Sequence, residues 1–286
     1  MIRQAQKVDR TLKTATVSYK GYSDGTIDFL GNQIELMTGY SQKDFSSRVV
    51  KWTDLFYEED LESTREVFKH ALKGDKTYTR EYRVRAKSGD LRWMQEWSHI
   101  ICDDKGDVEY ITGILIDITE NKKTEAARLK CERRTGKYLT FALAGQEYGI
   151  SILKVKEIIE IMQPTPVPQV PYYVRGIINL RGRVIPVVDL KAKLGLDTGA
   201  FSDRSCIIVV EIEGQHGVLL TGVMVDTVSD VVYLQGTEIE DTPTFLEAFD
   251  ADYIMGMAKI DKSLKVILDI GKVLEGMDMG ADRFAA

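Results

Sequence analysis

The sequence is poor in cysteine and histidine, with three of each in 286 residues. Cys102, Cys131 and Cys206 are too scattered for a disulfide framework or a zinc site, both of which need closely spaced pairs. The chain also lacks a P-loop, a G-x-G-x-x-G after a strand, an H-E-x-x-H and a G-x-S-x-G. We therefore expect free thiols, no metal site and no catalytic residues.

Long apolar runs are missing too. No stretch approaches the roughly 18 apolar residues of a membrane-spanning helix, and the first residues lack the apolar centre of a signal peptide. Neither half has the clustered basic face that is typical of nucleic-acid binding. We expect a cytoplasmic protein with no membrane insertion and no nucleic-acid partner.

Tryptophan and proline are each absent from one half of the chain. All three tryptophans precede residue 98, and all six prolines follow residue 163. Residues 1–136 carry 24 basic and 23 acidic side chains, which leaves 38 − 24 = 14 basic and 44 − 23 = 21 acidic for the rest. The halves thus have net charges of +1 and −7. This division, in a chain long enough for about two domains, predicts two domains of different character.

The first half alternates short strand and helix patterns. A strand is predicted at Thr26–Leu30, a helix at Asn32–Thr38 ending at Gly39, and a second helix at Glu59–Leu72. Three further strands, separated by turn compositions, are predicted at Tyr78–Arg85, Leu91–Ile101 and Val108–Ile118. This order is typical of an antiparallel sheet with helices on one side.

Three motifs in this half resemble PAS sensory domains with their C-terminal extension. They are LMTGYS at Leu36–Ser41, EYRVRAKSGDLRWM at Glu81–Met94 and GILIDITENK at Gly113–Lys122. The resemblance implies a PAS fold over residues 17–118 that holds a small ligand or cofactor on its sheet.

One strand of this domain suggests where a ligand would lie. Trp93, Trp97 and His99 share a face of the strand, because side chains repeat every second residue. One interpretation is an aromatic pocket with His99 as a polar contact. The alternative, which we favour, is that Trp93 and Trp97 pack under the helices or at a dimer interface.

The identity of a cofactor cannot be deduced from the residues. The Asn-Cys-Arg motif of flavin photochemistry is absent, and neither His70 nor His99 matches the haem-ligand position of the family. The ligand of the predicted pocket is therefore left open.

The second half reads mainly as strands. An opening strand is predicted at Tyr138–Ala144, and a helix follows in which Ile152, Val155, Ile158 and Ile159 gather on one side, away from Leu153 and Glu157. Two strands then fold about a turn at Arg181-Gly182. The many short strands beyond residue 203 favour barrels over an open sheet.

Four ordered motifs in this half resemble the CheW family of chemotaxis coupling domains. They are EYGI at Glu147–Ile150, RGIINLRG at Arg175–Gly182, VIPVVDL at Val184–Leu190 and MVDTVSDV at Met224–Val231. The resemblance implies two SH3-like five-stranded β-barrels without catalysis. It also implies an adaptor that joins methyl-accepting chemoreceptor tips to a CheA-type histidine kinase.

The same resemblance assigns a partner-binding surface. By motif position it comprises Val155, Glu157, Gly176, Asn179, Leu180, Arg181, Gly222, Val228 and Val231. Glu157 and Arg181 could also pair and fix the helix against the turn, with less than about 1 kcal/mol of stabilisation for an exposed pair. For Gly176 the alternative is a close backbone approach, and the helical stripe would place Val155 in the core.

The predicted fold class is α+β: a PAS domain at 17–118, a helical linker at 119–136 and a mainly-β CheW-like domain at 137–279. The linker could transmit a signal or only space the domains. We expect an adaptor with a sensory or regulatory PAS input, recruited to membrane-associated receptor arrays, and a candidate for homodimerisation through PAS. The alternative is a non-sensing scaffold that uses PAS for dimerisation and the CheW-like domain for array or polar assembly.

Overall fold

The computed structural model describes residues 15–197, 199–214, 217–243, 252–260 and 263–275. The chain forms two compact units that divide between Ala127 and Arg128. Part of the loop predicted at GQHGVLLTG, including His216, lies outside the described residues.

The first unit is built on an antiparallel sheet. Its five strands are β1 (Thr16–Gly21), β2 (Ile27–Leu30), β3 (Thr77–Arg85), β4 (Leu91–Cys102) and β5 (Val108–Asp117). They lie in the order β2-β1-β5-β4-β3, and every neighbouring pair is antiparallel. The predicted strands of this half are therefore confirmed, with small shifts at their ends.

Three helices connect β2 to β3, and they are α1 (Gln33–Thr38), α2 (Gln42–Ser46) and α3 (Leu61–Lys73). α1 ends at Gly39, whose φ of 76° lies in the left-handed region that glycine adopts without strain. α2 begins with a capping box in which Ser41 and Asp44 each accept a backbone hydrogen bond from the other. The helices cover one face of the sheet and bury Phe45 and Met94 in the core between them.

A sixteen-residue helix, α4 (Thr119–Arg134), follows β5. It runs from the first unit into the second, since the division falls within it. The helix predicted for the linker is confirmed.

The second unit contains eleven described strands and two short helices. The strands of its five-stranded sheet are β8 (Val155–Glu160), β9 (Val174–Leu180), β10 (Arg183–Asp189), β11 (Cys206–Gly214) and β12 (Gly217–Val225). The strands of its six-stranded sheet are β6 (Gly136–Leu143), β7 (Gln146–Ser151), β13 (Thr227–Leu234), β14 (Ile239–Glu240), β15 (Ile254–Ile260) and β16 (Ser263–Leu268). The helices are α5 (Leu190–Lys193) and α6 (Ile270–Val273).

The sheet orders are β8-β11-β12-β10-β9 and β13-β6-β7-β16-β15-β14. Two five-stranded barrels were predicted, so the second sheet has one strand more than expected. Among the described residues, strand pairing closes neither sheet into a barrel.

The helix predicted over residues 152–159 is wrong. Residues 152–154 form a single 3₁₀ turn, and Val155–Glu160 is strand β8, paired antiparallel with β11. Within it, the more exposed side chains alternate with less exposed ones, and the Ile158 side chain is 44% exposed. The register with β11 shifts between Val155 and Glu157, which pair with Val210 and Val209. β-branched residues favour strands, and β11 supplies backbone hydrogen bonds that a helix would not use.

Strand β11 is buried on both faces. Ile207 and Val209 belong to an apolar layer inside the five-stranded sheet. Ile208 and Val210 belong to a second layer that is shared with the six-stranded sheet, which contributes Phe141. A third layer lies inside the six-stranded sheet. The second unit therefore has three apolar layers and two sheets.

The two sheets of this unit repeat one local design at an interval of 256 − 176 = 80 residues. The repeated residues are Tyr173 and Tyr253, Gly176 and Gly256, and Asp189 and Asp269. In each copy the aspartate N–H donates 2.8 Å to the tyrosine carbonyl, and the aspartate side chain caps the helix that follows. In each copy the glycine has a positive φ, 139° in one and 155° in the other.

A substitution at Gly176 tests the close packing in the first copy of this repeat. An added Cβ would overlap the carbonyl oxygen of Thr165, which exchanges two backbone hydrogen bonds with Ile177. We expect Gly176→Ala to destabilise the second unit by about 2 kcal/mol or more, because the φ is also strained for alanine. Scanning calorimetry should show the loss in the transition of the second unit. Gly136→Ala, where no atom lies within 4 Å of the added Cβ, is the control, and an equal effect of both would contradict the expectation.

Candidate functional site

The β9–β10 hairpin ends in a two-residue turn, Arg181-Gly182. Leu180 and Arg183 pair on either side of it, and the turn residues have φ values of 51° and 87°. Two consecutive positive φ angles define a type I′ turn, whose twist matches that of the flanking strands. Asn179 stabilises the turn, because its side-chain oxygen accepts a 2.8 Å hydrogen bond from the N–H of Gly182.

Arg181 at the tip of this hairpin forms an ion pair with Glu157. An Arg181 NH2 group lies 2.6 Å from a Glu157 carboxylate oxygen, and the two side chains are 80% and 26% exposed. β8 and β9 are the opposite edges of the sheet, so the pair shows that the sheet curls until its edges approach. Because the pair is largely solvated, it fixes geometry more than it adds stability.

Leu180 and Val155 flank the pair but are both partly buried. Leu180 packs against the layer inside the five-stranded sheet, and Val155 packs against the layer that the sheets share. Each therefore presents only part of its side chain outward.

The two predicted glycines contribute no side-chain surface. Gly176 lets the backbone at Thr165 approach closely, which is the alternative considered from the sequence. Gly222 is buried in a central strand, where an added Cβ would lie 2.8 Å from a methyl carbon of Ile207. The prediction that Gly222 flanks a groove is wrong, because the position lies between packed side chains.

Val228 and Val231 lie in the other sheet, on its edge strand β13. Val231 is 44% exposed, whereas Val228 is partly buried against the shared layer. The structure therefore gathers Glu157, Asn179 and Arg181, with Leu180, at one corner of the five-stranded sheet. We call these four residues the hairpin corner.

In the first unit, the predicted pocket residues lie on the wrong face of β4. Glu96 and its neighbours at alternate positions are buried beneath the helices, while Trp97 is 53% exposed and His99 is exposed. Trp93 is partly buried near the start of α4. There its backbone N–H donates a 2.9 Å hydrogen bond to Thr119 Oγ1. The predicted lining by Trp93, Trp97 and His99 is therefore wrong, and the tryptophans do not pack under the helices either. The alternation of side chains along β4 shows that these three residues share one face of the strand, but it does not show which face the helices cover.

The covered face instead borders a cavity of about 750 Å³. Apolar rings from Trp52, Phe56 and Phe68 line much of it. Arg80 on β3 and Glu96 on β4 form a polar wall on the side of the sheet, and Thr53, Asp54 and Arg65 are among the other polar residues that line the cavity. The cavity is large enough for a small molecule.

Glu96 is the centre of a buried hydrogen-bond network. One carboxylate oxygen accepts hydrogen bonds from the hydroxyls of Tyr19, Tyr78 at 2.8 Å and Ser98 at 2.9 Å. The other accepts from the hydroxyl of Tyr82 at 2.6 Å. The tyrosines at alternate positions of β3 were the sequence signal for this site, because they share the face of the strand that meets Glu96.

Arg80 supplies the opposite charge. Its Nε and an NH2 group each lie 2.9 Å from the second Glu96 oxygen, and its NH1 donates 3.1 Å to the carbonyl of Thr64 on α3. The guanidinium also lies over the rings of Phe56 and Tyr82. A cation held between aromatic faces and a carboxylate is desolvated without being left unpaired.

The network fixes the charge states of its members. Burial alone would raise the pKa of Glu96, but Arg80 and the donated hydroxyls outweigh it and hold that pKa below its usual value. Burial and the adjacent carboxylate raise the pKa of Tyr78 and of Tyr82. At neutral pH the carboxylate is therefore charged and the phenols act as donors.

The part of the chain that the structure describes contains no group of three or more His, Cys, Asp or Glu side chains arranged to hold a metal ion. Within the same residues, no helix is long and apolar enough to cross a membrane.

Comparisons with known proteins agree with this division. A model of the CheW-like domain matches residues 137–277, and a model of the PAS fold matches residues 27–115. The chemotaxis protein CheW of Klebsiella aerogenes is 33% identical over 142 residues, which are 50% of this chain and 83% of that protein. CheW of Bacillus subtilis is 34% identical over 148 residues, covering 51% of this chain and 92% of that protein.

The first unit has a relative of its own. A methyl sulfide methyltransferase-associated sensor of Methanosarcina acetivorans is 37% identical over 108 residues, which are 37% of this chain but 11% of that protein. The fold and the comparisons together define an adaptor of the CheW-like type with a PAS fold ahead of it in the sequence. The chain belongs to the CheW family.

Glu96 should govern the stability of the first unit. Glu96→Gln leaves the buried Arg80 without its counter-charge, and we expect a loss of about 3–5 kcal/mol. Because its folded pKa is lowered, Glu96 stabilises the fold above its unfolded pKa, near 4.3, and this stability is lost as pH falls below that value. The Glu96→Gln variant should lack this dependence of stability on pH. Denaturation followed by tryptophan fluorescence measures it, since all three tryptophans lie in this unit.

The matched control is Glu109→Gln, an exposed carboxylate on β5. It should leave both the stability and its acid dependence almost unchanged. A wild-type acid profile retained in Glu96→Gln would show that other carboxylates carry the effect.

Proposed function

We propose that this chain couples chemoreceptor tips to a CheA-type histidine kinase and that its PAS fold is a sensory or regulatory input. The hairpin corner is the observation that carries the proposal. Its residues match the family motif and stand together at an exposed edge of the sheet, with the Arg181 side chain 80% exposed. Through the receptor tips the protein would be recruited to membrane-associated arrays.

The hairpin corner is suited to protein binding by its chemistry. Arg181 offers a planar guanidinium that can donate two parallel hydrogen bonds to a partner carboxylate. Glu157 holds that side chain in one orientation, which reduces the entropy lost on binding. The I′ turn presents Arg181 at a fixed position, and strand β8 does the same for Glu157.

The cavity of the first unit supports the sensory part of the proposal. It is roomy and mainly apolar, and its polar wall is held by the Glu96 network. A ligand there can regulate coupling only if it binds two states of the protein with different affinity. The ligand itself is not specified by these contacts.

We also propose that the PAS sheet mediates a homodimer. Trp97 is 53% exposed on the outer face and pairs across strands with Ile114, which is partly buried. An exposed tryptophan with an aliphatic neighbour is typical of an interface centre.

Arg181→Glu should weaken binding of a CheA-type regulatory domain to the intact chain. A charge reversal places two carboxylates where an ion pair stood, and we expect at least a tenfold loss, about 1.4 kcal/mol. Titration calorimetry measures it. Lys259→Glu, the same reversal on an exposed residue of the other sheet, is the control.

The double variant Arg181→Glu with Glu157→Arg separates two roles of the pair. Recovered binding would mean that the pair only orients the hairpin, and continued loss would mean that Arg181 touches the regulatory domain of the kinase. Absence of binding by the folded, unmodified chain would contradict the proposed coupling and favour the scaffold.

Trp97→Asp should raise the dissociation constant of the proposed dimer by about tenfold or more, because a charge would be buried at the centre of the interface. Sedimentation velocity over a concentration series measures the dimer fraction. Leu36→Asp is the control, since Leu36 on α1 is 80% exposed in the same unit. A monomeric wild type, or equal effects of both variants, would refute dimerisation through this face.

A further inference from the structure

Lys191 is a buried lysine on α5, outside the hairpin corner. Its side chain is 3% exposed, and its Nζ lies 2.7 Å from a carboxylate oxygen of Asp226. The same ammonium donates a 3.1 Å hydrogen bond to the carbonyl of Gly199 and lies 4.4 Å from the centre of the Phe201 ring. Burying a charge is costly unless the charge is paired and hydrogen-bonded. These three contacts therefore make a lysine tolerable at this position.

Asp226 is the single residue between β12 of the five-stranded sheet and β13 of the six-stranded sheet. Its N–H donates 3.1 Å to the carbonyl of Ala142 on β6. Its second carboxylate oxygen accepts a 2.7 Å hydrogen bond from the N–H of Ala144, in the turn between β6 and β7. Asp226 is thus fixed to the six-stranded sheet, whereas Lys191 follows the end of β10 in the five-stranded sheet by two residues. The ion pair joins the two sheets where the chain crosses between them.

The contacts beyond Asp226 hold β13 to β6. The register of these two strands shifts between Val228 and Val231. At this bulge the buried hydroxyl of Thr140 accepts a 3.1 Å hydrogen bond from the N–H of Asp230 and donates one of 3.0 Å to its carbonyl. Both valines therefore keep a fixed place on the six-stranded sheet. Their position relative to the five-stranded sheet depends on how the two sheets are joined.

Two kinds of contact join the sheets. Apolar side chains from both sheets form the shared layer, to which Phe141 and Val210 belong. Apolar burial is non-directional, so this layer holds the sheets together without selecting one direction of contact. The pair of Lys191 with Asp226 is a buried, charge-assisted hydrogen bond, and bonds of this kind are short and directional. The pair therefore restricts how the sheets can slide on each other at the crossing.

The residue that corresponds to Lys191 in the second copy of the repeat is Gly271, since 271 − 191 = 80. In that copy β16 lies parallel to β7, as β10 lies parallel to β12 in the first copy. The chain leaves β7 for β8 through residues 152–154, and Gly271 has no side chain that could reach them. The fold is thus built once with a cation at this position and once without it. Lys191 therefore serves something other than the design that the two sheets share.

We propose that Lys191 is a positioning residue: its pair with Asp226 sets the place of β13, and with it Val228 and Val231, relative to the hairpin corner. We call Lys191, Asp226 and Ala144 the crossing clamp. A partner that touches both sheets would then meet one preset spacing, and less entropy would be lost on binding. This consequence for binding rests on the proposed adaptor function, whereas the clamp itself rests on contacts within the second unit.

Lys191→Met in the full chain tests the crossing clamp, because methionine is also long and unbranched but carries no charge. Asp226 is 29% exposed, so water can hydrate its carboxylate in the variant and the fold should survive. Lys193→Met is the matched control, since it makes the same substitution in the same helix, where Lys193 lies over the Tyr173 ring. Gly176→Ala, which destabilises the second unit away from the crossing, is the control for a general loss of stability.

Hydrogen exchange followed by NMR is the readout, at the N–H groups of Ala144, Asp226 and Asp230, with the amides of β11 as the internal reference. Lys191→Met should speed exchange of the three groups at least about fivefold relative to β11, because local opening at the crossing exposes them. Lys193→Met and Gly176→Ala should change this ratio less than about twofold. An unchanged ratio in Lys191→Met, or the same ratio in either control, would overturn the clamp.

A conservative variant separates charge from packing. Lys191→Arg keeps a cation, and a cavity of about 340 Å³ that borders Lys191 and Asp226 leaves room for the larger group. This variant should exchange within about twofold of the wild type, and a result equal to that of Lys191→Met would overturn the role of the charge. If Lys191→Met does not fold, Asp226→Asn removes the opposite charge and should give the same local pattern.

Binding measurements test the consequence for partners. A chemoreceptor tip fragment and a CheA-type regulatory domain are each titrated against the variants, and loss of binding in Val231→Asp identifies the partner that touches β13. Affinity for that partner should fall at least about fivefold in Lys191→Met and less than about twofold in Lys193→Met. Unchanged affinity despite faster exchange would overturn the positioning role. If neither partner binds the unmodified chain, the adaptor proposal fails, and the exchange pattern still decides the clamp.

Discussion

Strand β11 must bury both of its faces, because consecutive residues from Ile207 to Val210 are all apolar. A strand of this kind needs side chains above and below it. One layer comes from the curled five-stranded sheet itself, and the other from the six-stranded sheet. The pairing of β8 with β11 then brings Glu157 to the edge that Arg181 reaches, so the hairpin corner depends on this burial.

Much of the fold could be predicted because short-range chemistry decides it. Gly39 ends α1 and Arg181-Gly182 forms a tight turn for reasons contained in a few residues. The predicted pairing of Glu157 with Arg181 was correct even though the helix assumed for Glu157 was wrong. The ion pair needs only that the two side chains lie close together, and the curl of the sheet brings its edge strands β8 and β9 together.

The errors have a common cause, because the pattern within one segment does not show what that segment packs against. Apolar residues at 152, 155, 158 and 159 satisfy a helical period, but pairing with β11 makes residues 155–160 a strand in which burial alternates although apolar character does not. Likewise, β4 has aromatic residues on one face and a buried carboxylate on the other. Burial of Glu96 was not predictable from its own strand, because the tyrosines and Arg80 that make it tolerable lie on other strands.

The hydrogen-bonding capacity of the Glu96 carboxylate is already filled, which affects how the cavity would select a ligand. A carboxylate has about four lone-pair positions, and here at least five donors already compete for them. A molecule entering the cavity gains no hydrogen bond from Glu96 unless it displaces one of these donors. Polar recognition must then come from other lining side chains such as Thr53, Asp54 and Arg65, while the aromatic walls select a molecule by its outline and by the apolar area that it covers.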